Sequence, residues 1–216
     1  MNQVSTDSRV GNNLPMAAAM LTWLGVQLAA LGLCSMRIPL WAKSSRATEQ
    51  LSLIVMLATQ TAVASLLFPI LLQNIRSTII AIAVACPMAE LASFLADISV
   101  RQFAVCEIYV SIWLVTLYLW ARVLRNSSNQ LVGTAIAAMI SLGGPPLWYL
   151  RVEFGETGGT SPPIGAYGPV AGIISLMLPS ERTTMAWGVI TFLFASAVIA
   201  CITNKKRSRN SRQVIH

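Results

Sequence analysis

Charge is scarce in this chain: Asp, Glu, Lys and Arg make up 11% of its 216 residues, against roughly 25% in soluble domains. Histidine is scarcer still, with His216 standing alone at the end of a polar tail. A single histidine excludes a bis-histidine haem and the common zinc sites. The four cysteines, Cys34, Cys86, Cys106 and Cys201, form no C-x-x-C pair and lie within or beside apolar runs. They read as small apolar residues. No P-loop is present, and no Ser–His dyad or paired water-facing acids suggest catalysis. These gaps predict no cofactor and no metal, and they weigh against an enzyme. The loop acids Glu153 and Glu156 read as solvated.

What the chain does hold is apolar sequence, 55% of the total, with a mean hydropathy of +0.66. So short a soluble chain could not bury that much apolar surface, whereas lipid can solvate it. The expected fold is all-α: a polytopic bundle of about six membrane-crossing helices and one shorter segment.

Residues 1–14 read as a flexible polar arm. The uncharged run 15–36 is long enough to span a bilayer and exceeds the apolar core of a signal peptide. Leu33 is too large for the position before a lipoprotein cysteine, so Cys34 is not read as lipidated. Further spans are expected over 51–75, 77–100, 103–124, 131–150 and 183–203, with a partial segment, 163–178, that is short and rich in Gly and Pro. The Arg101–Gln102 turn is brief enough to make the third and fourth spans an antiparallel hairpin. The fifth span breaks at Gly143-Gly144-Pro145-Pro146, just before Trp148 and Tyr149, where an interfacial aromatic belt belongs. Asn126-Ser127-Ser128 matches a glycosylation sequon but lies too close to the membrane to weigh.

The net charge of +7 comes largely from Lys205, Lys206, Arg207, Arg209 and Arg212 in the tail, 204–216. A basic flank after a last span marks the cytoplasmic side and suits anionic lipid. No aromatic residue interleaves with these charges, so no nucleic-acid partner is expected. Six spans with both termini in the cytoplasm put nine Lys and Arg inside and six outside; seven spans put ten inside and five outside. The tail dominates either count, so a cytoplasmic C-terminus is the firmer expectation. Compact loops suggest a bacterial inner membrane.

Spans associate in lipid through small residues and polar contacts. Ala18, Gly25, Ala29 and Gly32 form a narrow stripe on the first span, and Gly133, Ala137, Ser141 and Gly144 form one on the fifth. Both read as helix-packing faces. Glu90 is expected near the bilayer midplane, where a charge costs roughly 2.5–3.5 kcal/mol. Asp97 shares its face and pairs with Arg101 at i, i+4. On the fourth span Glu107, level with Asp97, falls in one arc of about 60° with Ser111, Tyr118 and Arg122. Together these residues suggest a polar seam between the two spans.

Two uses of such a seam compete. It lines a pathway for a proton, cation or polar substrate in the membrane-embedded subunit of a transport system. Alternatively, it fixes helix register in a non-catalytic accessory or assembly subunit of a larger complex. The layout, six spans with a short Gly- and Pro-rich element before the last, resembles that of ABC-2-type exporter permeases. That resemblance implies a separate ATPase or other membrane subunits as partners, beside the lipid bilayer. The link between the second and third spans is shorter than the coupling element such permeases present to their ATPase.

Overall fold

A peptide segment in hydrocarbon satisfies its own backbone groups only as a helix or within a closed barrel. In the computed structural model, which describes residues 7–35, 46–96, 98–125, 130–154, 164–177 and 183–213, every regular element is helical. Five helices are long and apolar enough to cross a membrane, and a bent pair makes a sixth candidate span. The chain is a multi-pass membrane protein with an all-α fold.

Helix α1 (Asp7–Ser35) begins well before its apolar span, running as helix through Asp7–Leu14, residues expected to form a flexible arm. α2 (Arg46–Leu71) turns at Leu72–Asn74 into α3 (Ile75–Leu95). The Ser77 hydroxyl accepts the Asn74 N–H at 3.2 Å, closing that turn. α4 (Val100–Leu124) completes a hairpin with α3.

The hairpin turn falls at 96–99 rather than at Arg101–Gln102, because Ser99 caps α4. Its hydroxyl accepts the Gln102 N–H at 3.3 Å. The string Ser99-Val100-Arg101-Gln102 is the capping-box spacing, so the signal was present in the sequence. The i, i+4 pairing expected for Asp97 and Arg101 requires one continuous helix across both positions. α3 ends at Leu95 and α4 begins at Val100, so no single helix spans both positions; Arg101 is exposed in the first turn of α4, and Asp97 lies outside the described residues.

The fifth span is broken as the glycines and prolines suggest. α5 (Gln130–Leu142) and α6 (Gly144–Phe154) meet at 46°. A short 3₁₀ turn (Ile164–Tyr167) then leads through Gly168 into α7 (Pro169–Met177). Nine residues rise only about 13 Å, far short of a bilayer, and all of α7 but Ile174 is buried. It is a short internal helix walled in by α2, α4, α8 and the 3₁₀ turn. α8 (Thr183–Gln213) crosses the membrane over Thr184–Lys205 and continues as helix into the basic tail.

α2 sits at the centre, touching α1, α3, α4, α5 and α7, while α8 leans on α4 and α7. The core is built from Trp23, Leu53, Met56, Leu57, Phe68, Tyr109, Trp113 and Leu117, all fully buried. The stripe expected on the fifth span is buried: Gly133, Ala137 and Ser141 on α5, and Gly144 at the start of α6. The stripe on α1 does not: Ala18, Gly25 and Ala29 are exposed, Gly32 is half-buried, and a methyl group added at either glycine would touch nothing within 4 Å. α1 instead turns Ala19, Trp23, Gln27 and Ala30 inward. Bulk and an amide hydrogen bond outweigh the closeness that small residues permit.

Candidate functional site

The seam residues fall on the α3–α4 hairpin at several degrees of burial. Glu90 lies five to six residues past the centre of the Ile75–Phe94 stretch, about 8 Å along the helix at 1.5 Å per residue. Its side chain is exposed on the outer face. Counting from the turn between α3 and α4, Glu107 on α4 lies nearly level with Glu90. Glu107 is half-buried, and its Oε1 is shut away from solvent with no hydrogen-bond partner. The Cys86 thiol, one turn before Glu90, is within electrostatic reach of both carboxylates. The fold therefore brings Glu90, Cys86 and Glu107 to one stretch of the hairpin. Ser111 and Tyr118 are half-buried farther along α4, Tyr118 against the core edge, and Arg122 is exposed.

The deeper polar contacts involve residues that the charge pattern did not single out. Gln60 on α2 spends both amide hydrogens, one on Gln27 Oε1 of α1 and one on the Ala85 carbonyl of α3, each at 2.9 Å. Gln27 in turn donates to the Trp23 carbonyl at 3.4 Å. Gln60 Oε1 and Trp23 Nε1, both buried, have no partner. This amide pair ties three helices at one level. The signal was legible as two uncharged amides inside apolar runs, but their pairing was not.

A second knot joins α2, α4 and α5. Ser65 Oγ donates to the Thr61 carbonyl at 2.7 Å and accepts from Trp113 Nε1 at 3.1 Å. Its single proton is thereby committed, so in the 2.6 Å contact between Ser65 and Ser141 the Ser141 hydroxyl is the donor.

A third cluster surrounds the short, buried α7. Gln102 donates to the Met177 carbonyl at 3.3 Å, meeting one of the acceptors left open at a helix C-terminus, and Cys106 Sγ lies 3.5 Å from Met177 Sδ. The Tyr109 hydroxyl presses on Gly172, where any Cβ would collide with it. The Tyr109 ring meets Trp187 of α8 edge-on, at 5.6 Å and 82°. Neither the Tyr109 hydroxyl nor the Ser175 hydroxyl has a partner, although both residues are buried.

A cleft of about 650 Å³ opens beside this cluster, between the α5–α6 bend, the 3₁₀ turn and α8, with almost wholly apolar walls that include Met139, Leu147, Met185 and Phe192. Among the described residues Cys86, Cys106 and Cys201 are free thiols, and no three His, Cys, Asp or Glu side chains gather as metal ligands. What the arrangement offers chemically is two membrane-level carboxylates on one hairpin and a set of hydrogen-bonded hydroxyls and amides in the interior. No protein-family model, curated protein or solved structure matches this chain.

Proposed function

We propose that this protein is the membrane-embedded subunit of a transport system, with the α3–α4 seam as the polar element of its pathway. The observation that carries this reading is the Glu107 carboxylate oxygen, enclosed within a span without a partner and level with Glu90. Acids held inside a membrane span are costly to keep and characteristically belong to proton, ion or substrate routes. Asp97, Arg101, Ser111 and Tyr118 extend the seam toward either surface. The 3₁₀ turn and Gly168 leading into the enclosed α7, together with the broken α5–α6 span, favour the same reading, because such backbone is tolerated at membrane depth where protein covers it or a cavity adjoins it. With no P-loop in the chain, any ATP-driven step belongs to a separate subunit.

The test is water access. In a cysteine-free background, single cysteines at 107, 111 and 118 should react with a membrane-impermeant thiol reagent applied to the side on which the seam opens. Reaction only with lipid-soluble maleimides would remove the pathway.

The accessory-subunit reading draws on a different observation, the exposure of Glu90 on the outer face of the bundle. On that reading Glu90→Gln abolishes co-purification with a partner subunit and leaves the water accessibility of the seam unaltered.

A further inference from the structure

α3 buries only 33% of its span within this chain. Its outward face carries Ala83, Pro87 and Glu90, all exposed, and Ala104 is exposed on the adjacent face of α4. Alanine and proline let a neighbouring backbone come close. Pro87 brings no N–H to the carbonyl of Ala83 one turn earlier. The face therefore presents acceptors: the Ala83 carbonyl, which Pro87 cannot serve, the Glu90 carboxylate and, just inside, the enclosed Oε1 of Glu107, which has no partner. In hydrocarbon an acceptor without a donor is costly, and an ionised carboxylate calls for a cation.

Among the described residues no cation lies at that depth. Within the spans Arg76, Arg101, Arg122, Arg151 and Lys205 all lie within three residues of a span end. A second copy docked on this face would bring another pair of acids and no positive charge.

We infer that the outward face of the α3–α4 hairpin docks a membrane helix of a different subunit, one carrying an arginine or lysine at the depth of Glu90 and Glu107. The cation meets the exposed Glu90 carboxylate, with Glu107 as the second negative charge behind it, and the partner backbone runs along Ala83, Pro87 and Ala104. This names a partner for the seam under Proposed function and rests on that assignment of the hairpin as the working surface. The two readings remain separable, because docking is read by association and the pathway by thiol chemistry.

The probe is a fluorescent single-span polyleucine peptide with one arginine placed to match Glu90, co-reconstituted with the full chain in phosphatidylcholine vesicles. An otherwise identical peptide with leucine at that position is the control. The expected result is energy transfer showing the arginine peptide associating about tenfold more strongly than the control, the scale of one good polar contact between membrane helices. Glu90→Gln and Glu107→Gln should each weaken that preference and together abolish it. Ala104→Leu, which leaves both acids in place, should block association by bulk alone, so the outcome does not hang on the acid variants folding. Equal association of the two peptides overturns the inference. So does a preference for arginine that survives the double Gln variant, or an Ala104→Cys variant that cross-links readily to a second copy of the chain.

Discussion

The Tyr109 hydroxyl, buried, unpartnered and resting on Gly172, is a place where one atom's fate can be measured. A buried hydroxyl without a partner costs roughly 1–3 kcal/mol, so Tyr109→Phe should leave stability unchanged or raise it. Gly172→Ala should instead cost about 1–3 kcal/mol by overpacking, and adding Tyr109→Phe should restore part of the loss. Thermal unfolding of the detergent-solubilised variants reads all three. The Gln27–Gln60 clamp behaves oppositely, because its donors are spent. Gln60→Leu should destabilise by about 1–2 kcal/mol, since two interhelical hydrogen bonds, worth about 0.6 kcal/mol each on average, are lost and Gln27 Oε1 is left without its donor. At this scale the sequence announces polar residues in apolar runs but not their partners. Gln60 stands out in its span, yet nothing near it in the chain points to Gln27, 33 positions earlier, or to the Ala85 carbonyl. Glu90 was equally visible, but that it faces outward depended on how α3 packs against its neighbours.

Where helices end is decided by caps and glycines, so predictions for whole elements concentrate there. Ser99→Ala removes the cap of α4 and should cost about 1 kcal/mol. Chemical unfolding would measure the loss, and limited proteolysis should find the 96–99 turn more readily cleaved. Gly168 holds a φ of +124°, and a Cβ there would also strike the Ile140 carbonyl. Gly168→Ala should therefore cost at least the 1–3 kcal/mol of a strained backbone and unseat α7, exposing Cys106 beneath Met177 to thiol reagents. If Cys106 stays as protected as in the parent protein, α7 is not pinned through Gly168. The break in the fifth span and the shortness of α7 were legible, because Gly-Gly-Pro-Pro and a run too brief to cross a bilayer are local facts. The burial of α7 was not, since it depends on α2, α4 and α8 closing around it. The small-residue stripe on α1 pointed to a packing face and misled, because a stripe permits close approach without supplying a neighbour.

For the whole molecule, the basic helical extension of α8 predicts a C-terminus on the cytoplasmic side of the membrane. A C-terminal fluorescent-protein fusion should glow while an alkaline phosphatase fusion at the same point stays inactive; the reverse pattern would invert the topology. The protein itself should resist carbonate extraction and require detergent. That much follows from the sequence alone. Apolar composition selects lipid as the solvent, and in lipid each span satisfies its peptide groups within itself, so helix, membrane and approximate span number are all local consequences of the residues. Only the tertiary structure decided which way each helix faces and which polar groups meet: Gln27 with Gln60, Ser65 with Ser141 and Trp113, Glu107 level with Glu90. The physical reason is that helical periodicity sets the angle between residues on one helix, whereas the angle between helices is a joint outcome of every packed face. The hairpin turn at Ser99 shifts by a few residues what α3 presents to α4, and with it the depth and the company of every acid in the seam.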